Sequence, residues 1–81
     1  MAIPASPLIR TIGRNMEVLA LKRGWTLPEL AQRGEIPVTH LRSLKNGQLR
    51  YLDPDVIESL LETLEIDPNA LLLPMADVSY D

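Results

Sequence analysis

The chain has 81 residues, no cysteine and a formal net charge of −3 at pH 7. That length suits one small domain with a modest core that would gain from a partner subunit, and the missing cysteines exclude disulfides, thiolate metal sites and a cysteine nucleophile. The charge is segregated: residues 1–50 hold all 8 Lys and Arg against Glu17, Glu29 and Glu35, whereas residues 51–81 hold 8 carboxylates and no Lys or Arg.

Apolar residues recur at helical spacing nearly throughout, and the alternation of a strand is absent. The first helix is expected over ~8–23, with Ile9, Ile12, Met16 and Leu19 inward and Gly24 as its stop, followed by Trp25 as a hydrophobic cap. Thr26 and Glu29 have the spacing of a capping box and open a second helix that ends near Arg33. The segment from Gly34 to Pro37 reads as a tight turn, and Pro37 precedes or opens a third helix that stops at Asn46–Gly47. After an exposed loop, QLRYL, the pair Asp53–Pro54 starts a fourth helix to about Leu64. Asp67–Pro68 repeats the signal for a short fifth helix, NALLL, halted by Pro74. The expectation is an all-α, five-helix compact domain over residues 1–81, with a core of about 8–73 and flexible ends at 1–7 and 75–81.

The second and third helices are joined by only about four residues, which favours the steep crossing of a helix-turn-helix. The third helix and the loop after it, VTHLRSLKNGQLR, contain Arg42, Lys45 and Arg50 and no acid. With Leu41 and Leu44 turned to the core, its open face offers Thr39, His40, Arg42, Ser43 and Asn46, with Lys45 at the edge. Such short polar and cationic groups can donate to base edges or phosphates. Charge segregation points the same way, to a polyanion facing one side of the molecule; the plain alternative is a set of solvated helix faces.

The run IGRNMEVLALKRGWTLPELAQRGEIPVTHLRSLKNG resembles the Cro/repressor-type (XRE) helix-turn-helix regulators, and the resemblance extends over residues 12–72 without a gap. Family-like positions include Gly13, Met16, Gly24, Thr26, Glu29, Ala31, Ile36 and Gly47, and LETLEIDPNALL is similar to the family's closing pattern. The resemblance implies a lambda-repressor-like fold whose third helix lies in the major groove of double-stranded DNA. Base reading would fall to Val38, Thr39, Arg42 and Ser43, and phosphate contact to Thr26, His40, Lys45, Asn46, Gln48 and Arg50. Departures from the family are informative. Glu35 occupies a turn position where many relatives have Gly, so Gly34 is expected to supply the flexibility. Leu27 replaces a phosphate-touching Gln, and Val38 begins the reading helix where a long amide or Arg is common. Relatives also pair an Arg at the position of Ala20 with a Glu at that of Lys45. With both replaced, no carboxylate is stranded and Lys45 is expected to be free as a cation near DNA.

Three consecutive leucines on one short helix cannot all face inward, so Leu71, Leu72 and Leu73 are divided between core packing and contact with a second copy in a homodimer. His40 has no companion ligands and is expected to face solvent or a phosphate, and Trp25 to serve as packing. No Rossmann glycine pattern, P-loop or His–carboxylate pair supports an enzyme, and no cofactor, metal or small-molecule effector is expected. No apolar run approaches the ~18 residues of a membrane span, and MAIPASPL does not read as a signal peptide, so a cytoplasmic protein is expected. A sequence-specific repressor acting on a palindromic operator is the leading reading. The alternative is a helix-turn-helix domain that binds protein through its acidic C-terminal third.

Overall fold

The computed structural model describes residues 7–73, and five helices follow one another along them. These are α1 (Pro7–Lys22), α2 (Leu27–Gly34), α3 (Val38–Lys45), α4 (Pro54–Leu64) and α5 (Pro68–Leu72). Pro7, expected in a flexible end, is instead the first residue of α1. The expectations for Pro74 and the remaining terminal residues lie outside the described part. No described helix is long and apolar enough to cross a membrane.

Local chemistry explains most of the boundaries. Thr26 and Glu29 close the anticipated capping box: the Glu29 amide donates to Thr26 Oγ1 at 3.3 Å, and the Thr26 amide donates to Glu29 Oε1 at 2.8 Å. These bonds hold the Glu29 carboxyl below its ordinary pKa of 4.5. Asp53 accepts from the Asp55 amide and Asp67 from the Ala70 amide, so both Asp–Pro pairs launch helices as expected.

Four helices end in the same way, with a left-handed residue and a hydrogen bond reaching five residues back. After α1 the residue is Gly24 (φ +76°), and the Trp25 amide donates to Ala20 O at 2.9 Å. After α3 it is Gly47 (φ +70°), with the Gln48 amide on Ser43 O at 2.8 Å. After α2 and α4 it is a glutamate: Glu35 and Glu65 both adopt φ +56°, and Ile36 and Ile66 close the rings onto Ala31 and Leu61. The expectation that Gly34 would supply this turn is therefore corrected. Gly34 stays in the helix because α4 crosses closely over it. A Cβ there would lie 3.1 Å from Ile36 Cδ1 and 3.3 Å from Thr63 Oγ1, and Ser59 Oγ donates to Gly34 O at 2.6 Å.

The core gathers Ile9, Ile12, Met16 and Ala20 from α1, Leu30 and Ala31 from α2, Leu41 and Leu44 from α3, Leu60 and Leu64 from α4 and Leu71 from α5, with Ile36 between α2 and α3. Helix α1 packs chiefly on α3 and α5, and α2 chiefly on α3 and α4. One polar residue is fully inside. Asn15, 1% exposed, donates its Nδ2 to Leu73 O at 2.7 Å and Leu71 O at 2.9 Å, with Ala70 O at 3.4 Å. Thus α1 caps the carbonyl end of α5. Gly13, two residues earlier, lets α1 reach the end of α3: a Cβ there would overlap Leu44 O and lie 3.0 Å from Lys45 Cα.

Candidate nucleic-acid interface

Burial of Leu41 and Leu44 fixes the roll of α3 and turns Thr39, Arg42, Ser43 and Asn46 outward on one face, Ser43 being half-buried and the others exposed. Pro37 precedes the helix without a side-chain cap. Thr26, at the start of α2, and Gln48 and Arg50, in the loop after α3, are exposed. The sequence-predicted positions are thus surface groups on α3 and on the segments that flank it. Thr26 has a second task, since its hydroxyl accepts the bond that caps α2.

Other predicted residues sit differently. Val38 is half-buried and packs against the core, as does Leu27, because both lie on the inward shoulder of their helices. His40 Nε2 is buried and has no hydrogen-bond partner, contrary to the expectation of a ring open to solvent or phosphate; only Nδ1 remains for such a contact. Lys45 is not free. Its Nζ lies 3.0 Å from Glu17 Oε2, with the two side chains 44% and 40% exposed. Glu17 follows Gly13 by four residues, one turn further along the same face of α1. The close approach permitted by Gly13 brings that face against the last turn of α3, and with it the carboxylate to the lysine. The relatives' cross-link between first and third helices persists here with its polarity reversed and the cation on α3.

Of the three leucines, Leu71 is fully buried and belongs to the core, which removes it from any contact between copies. Leu72 is half-buried against the same core, and Leu73 is 56% exposed. The helix is too short to turn more than one of its leucines outward.

Sequence reasoning missed two arrangements. Trp25 is more than packing: the guanidinium of Arg33 lies 4.4 Å and that of Arg23 5.3 Å from the ring centroid. Arg23 also donates to Leu64 O at 2.6 Å and meets Glu65 at 3.4 Å, so one arginine caps α4 and stacks on the indole. Sequence spacing hints at neither partner, because α4 lies some forty residues away. The Asn15 clamp is likewise invisible to local patterns. With Arg23 and Lys45 paired and Arg33 stacked, Arg42 and Arg50 are cations on this side without an ion pair among the described residues. Around them are hydroxyls and amides, which can donate to phosphates and to base edges alike. No group of three or more His, Asp or Glu among the described residues could hold a metal.

Comparison with known proteins bears on the arrangement. The family described as Cro/C1-type HTH DNA-binding domain matches residues 15–77. YozG, an uncharacterized HTH-type transcriptional regulator of Bacillus subtilis, is 31% identical over 58 residues, which is 72% of this chain and 69% of that protein. The crystal structure of the hypothetical transcription factor NHTF from Neisseria superposes with a TM-score of 0.77 at 22% identity, covering 91% of this chain and 86% of NHTF. The restriction-modification controller protein C.AhdI from Aeromonas hydrophila gives a TM-score of 0.70 at 22% identity, over 78% of this chain and 94% of the controller. At those identities the two structures speak for the fold.

Proposed function

The chain belongs to the Cro/C1-type helix-turn-helix DNA-binding domain family and is a DNA-binding regulator of transcription, and from that premise we propose that it represses promoters by occupying a palindromic operator as a homodimer. The observation that carries this reading is the outward face of α3, with Thr39, Arg42, Ser43 and Asn46 together and no acid among them. In this reading α3 enters the major groove. Arg42 donates to a guanine edge, Thr39 and Ser43 donate or accept at neighbouring bases, and Val38 offers at most its exposed methyl to a thymine. Thr26, Asn46, Gln48 and Arg50 hold the backbone on either side and set register. Leu73, with the outer part of Leu72, meets a second copy, and two-fold symmetry then places half-sites about one helical turn apart. A phage-type repressor, an antitoxin or a restriction-modification controller, the last being what C.AhdI is, would each use DNA in this way.

A second reading has its own observation. Asp53, Asp55, Glu58, Glu62, Glu65 and Asp67 are all exposed along α4 and the start of α5, and only Glu65 has a basic partner among the described residues. That surface could receive a basic protein. Selection of bound sequences from random duplex DNA separates the two. A palindromic consensus supports the operator reading and reports the half-site spacing directly. No enrichment, together with no retention on any duplex at 50 mM salt, overturns it in favour of protein binding.

A further inference from the structure

Three carboxylates lie in the cationic part of the chain, and they are not equivalent. Glu29 is bound to the Thr26 amide at 2.8 Å and serves the start of α2. Glu35 forms the left-handed turn after α2. Glu17 alone makes an ion pair with the reading helix, 3.0 Å from Lys45 in its last turn. Gly13 sets that distance, since any side chain there would push α3 away from α1. Both partners remain about two-fifths exposed, and so solvated a pair adds little to stability. The fold does not need it.

We infer that Glu17 is an internal competitor for DNA phosphate: it holds Lys45 by the same kind of contact that a phosphate would make, and so weakens backbone binding by α3. The inference rests on the DNA-binding reading. A free lysine that neutralises a phosphate releases one condensed cation from the duplex, and this release gives binding its salt dependence. Lys45 starts from a different state. To reach a phosphate it must leave Glu17, and the bared carboxylate gathers a cation of its own, so the net release from this contact is close to nil. The vacated carboxylate also stays within about 10 Å of the duplex, a Debye length at 0.1 M salt, and repels it. Recognition then depends more on Arg42, Arg50 and the uncharged donors, and less on the bulk charge of the helix.

The test measures the affinity of the full chain for one non-operator duplex of about 25 base pairs, between 50 and 200 mM salt, for the wild type, Glu17→Gln, Lys45→Gln and the double variant. Gln preserves the shape of each side chain, and thermal melting of every variant checks the fold. Glu17→Gln is expected to bind more tightly than wild type at 50 mM salt, with an advantage that shrinks about three- to fourfold by 200 mM, as one extra released counterion requires. The same substitution is expected to change nothing in the Lys45→Gln background. An unchanged salt slope for Glu17→Gln, weaker binding with a lowered melting temperature, or an equal gain without Lys45 each overturns the competitor role. If neither wild type nor Glu17→Gln binds at 50 mM salt, the DNA-binding reading itself has failed and this role falls with it.

Discussion

A helix as short as α5 leaves most of its carbonyls without an internal partner, and the Asn15 amide supplies partners for those of Ala70, Leu71 and Leu73. Replacing Asn15 with Leu keeps the volume but strands these acceptors in or beside the core. The expected cost is about 2–3 kcal/mol, the range for unpaired buried polar groups, read as a lower midpoint in chemical denaturation. In a sequence, Asn15 looks like a surface residue of an amphipathic helix, because its partners lie 55 to 58 residues away and have no pattern of their own. Thr26 and Glu29 are the opposite case: their partners are three residues apart, and the capping box is legible from type and spacing alone. The consequence for pH follows from the lowered Glu29 pKa. The folded state binds this proton more weakly than the unfolded state, so the ionised Glu29 contributes stability above the unfolded value of 4.5, and that contribution is lost as pH falls through the folded value. Thr26→Ala is expected to return the Glu29 pKa toward 4.5, followed by NMR titration of its carboxyl, and to cost about 1 kcal/mol at neutral pH.

The ends of α1, α2, α3 and α4 share one device, yet glycine serves it after α1 and α3 and glutamate after α2 and α4. A side chain in the left-handed region costs roughly 1–2 kcal/mol, partly offset by the larger entropy glycine loses on folding, about 0.5–1 kcal/mol. A carboxylate beside the negative end of a helix adds a further penalty. Glu65 has compensation, since Arg23 meets it at 3.4 Å, whereas Glu35 has no ion pair among the described residues. Glu35→Gly is therefore expected to stabilise the protein by about 0.5–1 kcal/mol, a rise of a few degrees in melting temperature, and Glu65→Gly by less. Equal gains from both would show that Arg23 does nothing for Glu65. Helix starts and stops were readable because caps are local: Asp53–Pro54, Asp67–Pro68, Gly24 and Gly47 each act within a turn of their own helix. The turn at Glu35 misled because Gly34 beside it has the chemistry for a left-handed turn, and only its contacts with Ile36 and Thr63 reveal a different use.

Across the whole molecule the charge segregation seen in the sequence becomes a division of surfaces, with α3 and its flanking segments on one side of the account and the acidic α4 on the other. What a sequence cannot apportion is which cations are already engaged, and the structure leaves Arg42 and Arg50 without ion pairs while Lys45 has one. In the operator-binding reading these two arginines are expected to behave differently. Arg42→Gln costs about 1–3 kcal/mol at the preferred sequence and relaxes preference at one base position, whereas Arg50→Gln weakens all duplexes alike and lowers the salt slope by about 1. Quantitative binding to the selected operator and to a scrambled duplex distinguishes these outcomes. The Asn15 clamp has a further consequence, for the order in which the molecule can be built. Its bonds join the middle of the first helix to the end of the last, so contacts spanning most of the chain must close before the core is complete. During synthesis α1, α2 and α3 emerge with one flank of α1 still bare and the Asn15 amide unpartnered. That flank is covered only once Leu71 and Leu73 have been made, so the nascent reading helix is seated on an unfinished scaffold until translation has passed residue 73.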